Sequence, residues 1–124
     1  MKEQKKILIV DDNDDISEAL RILLSRSGYH ADRAYNEEEC MYKIEEDKPD
    51  LVLLDIFLSG SDGREVCRRL REQSSTRELP IIIISAHPNM HEPALAAGAN
   101  DFISKPFSVD DLLKKIETIL AVEK

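Results

Sequence analysis

The sequence predicts an α/β fold built on a doubly wound, five-stranded parallel sheet. Three observations carry that expectation. Short apolar runs alternate with segments of helical periodicity along the whole chain of 124 residues. Runs one, three and four are continuously apolar, as strands buried on both faces are, whereas runs two and five are shorter and more polar, as edge strands are. Chemically capable residues close the runs: Asp11-Asp12 after Lys6–Val10, Asp55 after 51–54, Ser85 after 81–84, and Ser104-Lys105-Pro106 after Phe102-Ile103.

Strand one is Lys6–Val10. Helix one carries Ile16, Leu20, Leu23 and Leu24, spaced i, i+4, i+7 and i+8, and stops at Gly28. Strand two, about 29–34, is short and mixed. Helix two opens at Asn36 with Glu39 three residues on, a capping-box pattern, and presents Cys40, Met41 and Ile44 before Lys48-Pro49-Asp50 breaks it. Strand three, 51–54, delivers Asp55. Helix three opens at Asp62, with Glu65 three on, and presents Val66, Cys67 and Leu70. Strand four, 81–84, follows Pro80. Helix four is short, roughly 91–97, and ends at Gly98. Strand five is about 101–103. Helix five opens at Ser108 and carries Val109, Leu112, Leu113, Ile116 and Leu120.

Burial of runs one, three and four favours the strand order 2-1-3-4-5, that of a flavodoxin-like three-layer sandwich, with its switch point between strands one and three. Ligands in such sheets bind outside the carboxyl ends of the strands, where Asp11, Asp12 and Asp55 fall. Three carboxylates, a hydroxyl and an ammonium in one crevice suit a divalent cation and a phosphoryl group.

Composition narrows the function classes. A chain of this length is one domain, 1–124, able to bury roughly two thirds of its unfolded surface. The formal net charge of −8 repels phosphate backbones and argues against direct nucleic-acid binding. No stretch approaches the ~20 apolar residues of a membrane span. The first six residues lack a signal-peptide pattern, so a cytoplasmic location is expected. Cys40 and Cys67 lack metal-ligand spacing and read as reduced, partly buried helix thiols.

Taken together, these residues resemble a response-regulator receiver domain of the chemotaxis-regulator type, the phosphoacceptor module of two-component signalling. The resemblance covers nearly the whole chain. It rests on Asp11-Asp12, the lone Asp55, Asp62-Gly63 opening helix three, Ser85-Ala86 after strand four, and Lys105-Pro106-Phe107 after strand five. It implies that Asp55 accepts a phosphoryl group from a histidine kinase or histidine phosphotransfer protein and that the change switches binding of a downstream output protein or domain. It implies Mg²⁺ (or Mn²⁺) held by Asp12, Asp55 and the Phe57 backbone carbonyl, with Asp11 acting through water. Lys105, the Ser85 hydroxyl, the Ala86 N–H and Phe57 contact the phosphoryl oxygens, and the Lys105–Pro106 bond is cis. Ser85 and Phe102 form the switch, with Phe102 turning inward and Met90, Leu95 and Phe107 exposed for a partner. The module is then no enzyme beyond its own phosphorylation and dephosphorylation, and is a monomer or a weak phosphorylation-dependent dimer. With only 121–124 after helix five, no output domain is expected. The pattern departs from the family at Leu58-Ser59, where Met-Pro is common, which implies with Gly60 a more flexible loop; Pro93 lies in a shortened interval between Ser85 and Lys105.

Other readings compete. The stretch 11–15 mimics a calcium loop, but Ile16 stands where glycine is needed and Ile22 where a bidentate glutamate is needed. It also reads as a solvated acidic turn and helix cap. Asp12-Asn13-Asp14, a later serine and a later lysine resemble haloacid-dehalogenase-type phosphatases, with Asp12 as nucleophile; that alternative leaves Asp55 without a role. A flavin phosphate loop is opposed by four carboxylates within 11–15. Zinc binding by His87 and His91 lacks further ligands, and His30, His87 and His91 read as a strand residue and two loop or helix-start residues.

Overall fold

The strands are β1 (Lys6–Val10), β2 (His30–Ala34), β3 (Leu51–Asp55), β4 (Ile81–Ser85) and β5 (Asp101–Ser104). In the computed structural model, which describes residues 4–58 and 60–122, they form one parallel sheet ordered β2-β1-β3-β4-β5, as expected. The helices are α1 (Asp14–Arg26), α2 (Glu37–Glu46), α3 (Gly63–Glu72), α4 (His91–Ala96) and α5 (Val109–Val122). None among the described residues is long and apolar enough to cross a membrane.

The continuous apolar runs are explained by two cores, one on each face of the sheet. Side chains alternate along a strand. Leu8, Val10, Val52, Leu54, Ile81 and Ile83 enter one core, packed with Cys40 and Ile44 of α2, Val66 and Leu70 of α3, and Ala94 of α4. Ile7, Ile9, Leu51, Leu53, Ile82 and Ile84 enter the other, packed with Leu20 and Leu24 of α1 and Leu112, Ile116 and Leu120 of α5. Each such side chain, fully buried, contributes about 1.5–3 kcal/mol.

Helical periodicity overreached at two helix starts. Ile16 and Val109 are exposed, not core. Each lies in the first turn of its helix, beyond the carboxyl ends of the strands, where no sheet lies beneath it. Cys40 and Cys67 are fully rather than partly buried, and burial pushes the Cys40 thiol up to about 12.

The caps differ in detail from the sequence pattern. Asn36 Oδ1 accepts from the Glu39 N–H at 2.9 Å, but the Glu39 carboxylate reaches the Tyr35 N–H, one residue before the cap. At α3 the Asp62 carboxylate accepts from the Arg64 N–H at 2.8 Å and pairs with its guanidinium, while Glu65 pairs with Arg68. Ser108 Oγ caps α5 through the Asp111 N–H at 3.0 Å. After β3 the chain pairs Phe57–Leu58 antiparallel with Ser61–Asp62 in a small hairpin that the sequence did not announce, with Gly60 at φ +76°. Ser59 itself lies outside the described residues. A 3₁₀ turn, Pro88–Met90, precedes the short α4, whose Pro93 sits in the first turn where proline is tolerated.

Candidate functional site

Strand register brings the site together. Val10 pairs with Leu54, so the next residues, Asp11 and Asp55, leave β1 and β3 side by side. Asp55 pairs with Ile84, one residue before Ser85. Ser85 pairs with Ser104, and the Lys105 N–H donates to the Ser85 carbonyl at 2.7 Å. All five chemically capable positions read from the strand ends therefore line one edge of the sheet.

Asp11, Asp12 and Asp55 each offer a carboxylate oxygen, and these atoms lie within 4.8 Å of one another. Oxygen-only donors converging at this spacing fit a hard divalent cation such as Mg²⁺. Asp11 is only 4% exposed and Asp55 8%, so water screens their repulsion weakly. Lys105 Nζ lies 3.6 Å from Asp11 Oδ2 and 3.7 Å from Asp55 Oδ2, bridging the two carboxylates. The Asp55 carboxyl is nevertheless pushed above its ordinary value: burial is the main cause, the Asp11 charge adds to it, and Lys105 and the Phe57 N–H oppose it.

Local geometry fixes each group. Asp11 Oδ1 accepts from the Asn13 N–H at 2.8 Å, and Asn13 Oδ1 caps α1 through the Ile16 N–H at 3.0 Å. The acidic turn is thus both helix cap and part of the site. The Phe57 N–H donates to Asp55 Oδ1 at 3.4 Å. Ser85 is fully buried, and its Oγ accepts from the His87 N–H at 3.0 Å. Ala86 is exposed beside it. The Lys105–Pro106 bond is cis.

Two ring contacts were not foreseen. The Phe57 side chain, 51% exposed, meets the His87 ring edge-on at 5.2 Å. His91 stacks on Phe102 at 5.4 Å. Phe102 does not await an inward turn: it is 7% exposed and already belongs to the core with α4. The expected exposed patch is smaller than anticipated, because Met90 and Phe107 are half-buried against the two cores and only Leu95, 42% exposed, stands clear. No histidine joins the carboxylate cluster or another candidate metal group among the described residues.

Gly63 was read only as part of a motif; the structure supplies its reason. Its N–H donates to the Ile56 carbonyl at 2.7 Å, and a Cβ built there would lie 2.4 Å from the Asp55 carbonyl oxygen. The sequence signal was a glycine at the first position of a helix, where helix propensity disfavours it.

Comparisons with known proteins agree with this geometry. Residues 7–117 match the family model described as response regulator receiver domain. The response regulator MprA of Mycolicibacterium vanbaalenii is 39% identical over 117 residues, 93% of this chain and 50% of that protein. The phosphate regulon transcriptional regulatory protein PhoB of Rhizobium meliloti is 38% identical over 117 residues, 93% of this chain and 52% of that protein. The chain spans about half the length of these curated relatives. Among solved structures, the receiver domain of NtrX from Brucella abortus superposes with a TM-score of 0.86 at 37% identity, covering 93% of this chain and 98% of that one. A two-component response regulator from Clostridium difficile superposes with a TM-score of 0.87 at 34% identity, covering 95% and 97%. None of these similarities supports the phosphatase alternative with Asp12 as nucleophile.

Proposed function

The chain belongs to the response regulator receiver domain family, a signalling module of two-component systems, and from that membership we propose how its own residues carry the phosphoacceptor role. Asp55 is the nucleophile. One of its carboxylate oxygens attacks the phosphorus of a donor's phosphohistidine. The new P–O bond forms as the P–N bond breaks, and the departing imidazole nitrogen keeps the electron pair and takes up a proton. Asp12, Asp55 and the Phe57 carbonyl would hold Mg²⁺ (or Mn²⁺), and Asp11 would act through water. When bound, the ion neutralises the converging negative charge and clamps the transferring oxygens. Lys105 pairs with the phosphoryl group as a mobile point charge. The Ser85 hydroxyl and the Ala86 N–H donate to its oxygens.

A single observation carries this reading: the Lys105 ammonium sits 3.6 and 3.7 Å from two buried carboxylates at the strand-end cluster. The test is labelling by acetyl phosphate in the presence of Mg²⁺. Asp55→Asn should abolish it, whereas label that persists in that variant, above all on Asp12, overturns the assignment.

The donor is a histidine kinase or histidine phosphotransfer protein, and the phosphorylated module binds a downstream protein or domain. The matched relative from Rhizobium meliloti is named a transcriptional regulatory protein. For residues 1–124 we propose output by protein contact, because a net charge of −8 opposes direct binding to nucleic acid. The module acts as a monomer or weak phosphorylation-dependent dimer, catalysing nothing beyond its own phosphorylation and dephosphorylation. A reducing cytoplasm suits its two free thiols.

A further inference from the structure

We propose that Glu37 is a positioning residue for the metal site, acting through the hairpin that carries Phe57. The inference rests on the Phe57 carbonyl being a metal ligand. The hairpin has two paired positions, Phe57 with Asp62 and Leu58 with Ser61. A ladder this short has no independent stability and must be held from outside. Leu58 holds its first strand by burying its side chain in the core. Ser61 ties the second strand: its hydroxyl donates to Glu37 Oε1 at 3.1 Å. Glu37 Oε2 pairs in turn with the guanidinium of Arg69. One carboxylate therefore joins α2, the hairpin and α3.

Burial and packing favour a structural role for this bridge. The Glu37 side chain is 21% exposed, against 50% for Arg69, so the carboxylate is more sheltered than the guanidinium it pairs with. An open cleft lined by Asn36, Glu37, Glu38, Met41 and Ser61 lies at the same junction. Beside that cleft the Ser61–Glu37 hydrogen bond joins α2 to the second strand of the hairpin. Release of the bridge lets the hairpin shift, and Phe57 moves relative to Asp55 two residues before it. Mg²⁺ demands near-ideal octahedral geometry, so a small displacement of one ligand lowers its affinity.

Loss of the Glu37 charge would weaken cation binding by itself, so Ser61→Ala, which changes no charge, is the deciding variant. The measurements are Mg²⁺ titration of the unphosphorylated protein by amide shifts, and hydrogen exchange of the hairpin amides in metal-free protein. Ser61→Ala should weaken Mg²⁺ binding by about ten-fold, the lower end of outer-shell effects, and speed exchange of those amides. Glu37→Ala should do at least as much. Glu37→Gln should retain hairpin protection, since its amide oxygen still accepts from Ser61. Adding Ser61→Ala to Glu37→Ala should cost nothing more. Unchanged Mg²⁺ affinity in Ser61→Ala overturns the inference, as does a Glu37→Ala loss that Glu37→Gln reproduces with hairpin exchange intact. Asp12→Asn separates the two levels: if it still binds Mg²⁺ like the parent, the metal-site reading fails; if it does not and Ser61→Ala does, only the role of Glu37 fails. Metal-free melting curves establish that each variant is folded, and Ser61→Ala alone decides the matter if Glu37→Ala is not.

Discussion

Asp55 is a carboxylate held against its own electrostatic preference. Burial and the neighbouring Asp11 raise its affinity for a proton in the folded chain. Above the ordinary carboxylate range but below the raised value, the folded state therefore binds more protons than the unfolded one. The stability Asp55 contributes is fully present at low pH and is lost as pH rises through the folded value. In metal-free protein at neutral pH, Asp55→Asn should raise the melting temperature by roughly a few degrees, and the gain should vanish as pH falls below the carboxylate range. Thermal melts in chelator across that pH range check this, and a lower melting temperature for the variant at neutral pH contradicts it. The residues that converge at the candidate site were legible in the sequence where a strand end announced them: Asp11, Asp12, Asp55, Ser85 and Lys105. The contacts of Phe57 with His87 and of His91 with Phe102 were not, because each joins residues from separate segments and neither partner carries a local pattern.

At the scale of elements, the hairpin returns the chain to the end of β3, where Gly63, the first residue of α3, packs against the backbone of Asp55 and Ile56. A Cβ 2.4 Å from the Asp55 carbonyl must push backbone, which does not yield cheaply. Gly63→Ala should cost about 1–3 kcal/mol, the usual penalty of overpacking, despite alanine's better helix propensity. Denaturant unfolding measures it; a stabilised variant refutes the steric account. The hairpin and the segment after β4 meet through the Phe57–His87 ring contact, and on the proposed reading that contact would flank the route of water to a phosphorylated Asp55. Phe57→Asn should open that route and speed hydrolysis several-fold, roughly ten-fold at most if the ring acts only as a shield. Decay of isolated phosphoprotein reads the rate, and an unchanged half-life removes the ring from the argument. Helix periodicity in the sequence placed every helix, but misjudged Ile16 and Val109, because periodicity cannot report where the sheet stops. The hairpin was invisible because two-residue strands carry no alternation to read.

For the whole molecule, strand order was legible from burial alone: two polar runs became the edges and three apolar runs the centre. The placement of Phe102 was not. Phe102 was expected to turn inward and is already stacked beneath His91. A ligand shifts an equilibrium only by its differential affinity for two states, and a ring already buried to 7% exposure has little further inward travel to contribute. Beryllofluoride with Mg²⁺ should therefore produce its largest amide shifts from Ser85 through His91, with a smaller change at the Phe102 ring. A Phe102 ring shift exceeding those of the β4–α4 segment would restore the inward turn as the switch. The arrangement of two cores back to back has a consequence of another kind. The sheet is a bulkhead: among the described residues, the chamber lined by α1 and α5 shares no buried side chain with the chamber that holds Phe102, Ala94 and the packed edge of Met90. A volume error in one chamber is not transmitted by contact to the other. Over evolutionary time the first can be selected for a single tight packing while the second drifts among packings of nearly equal energy. One small protein can thus carry a fixed keel and an adjustable rudder in the same chain.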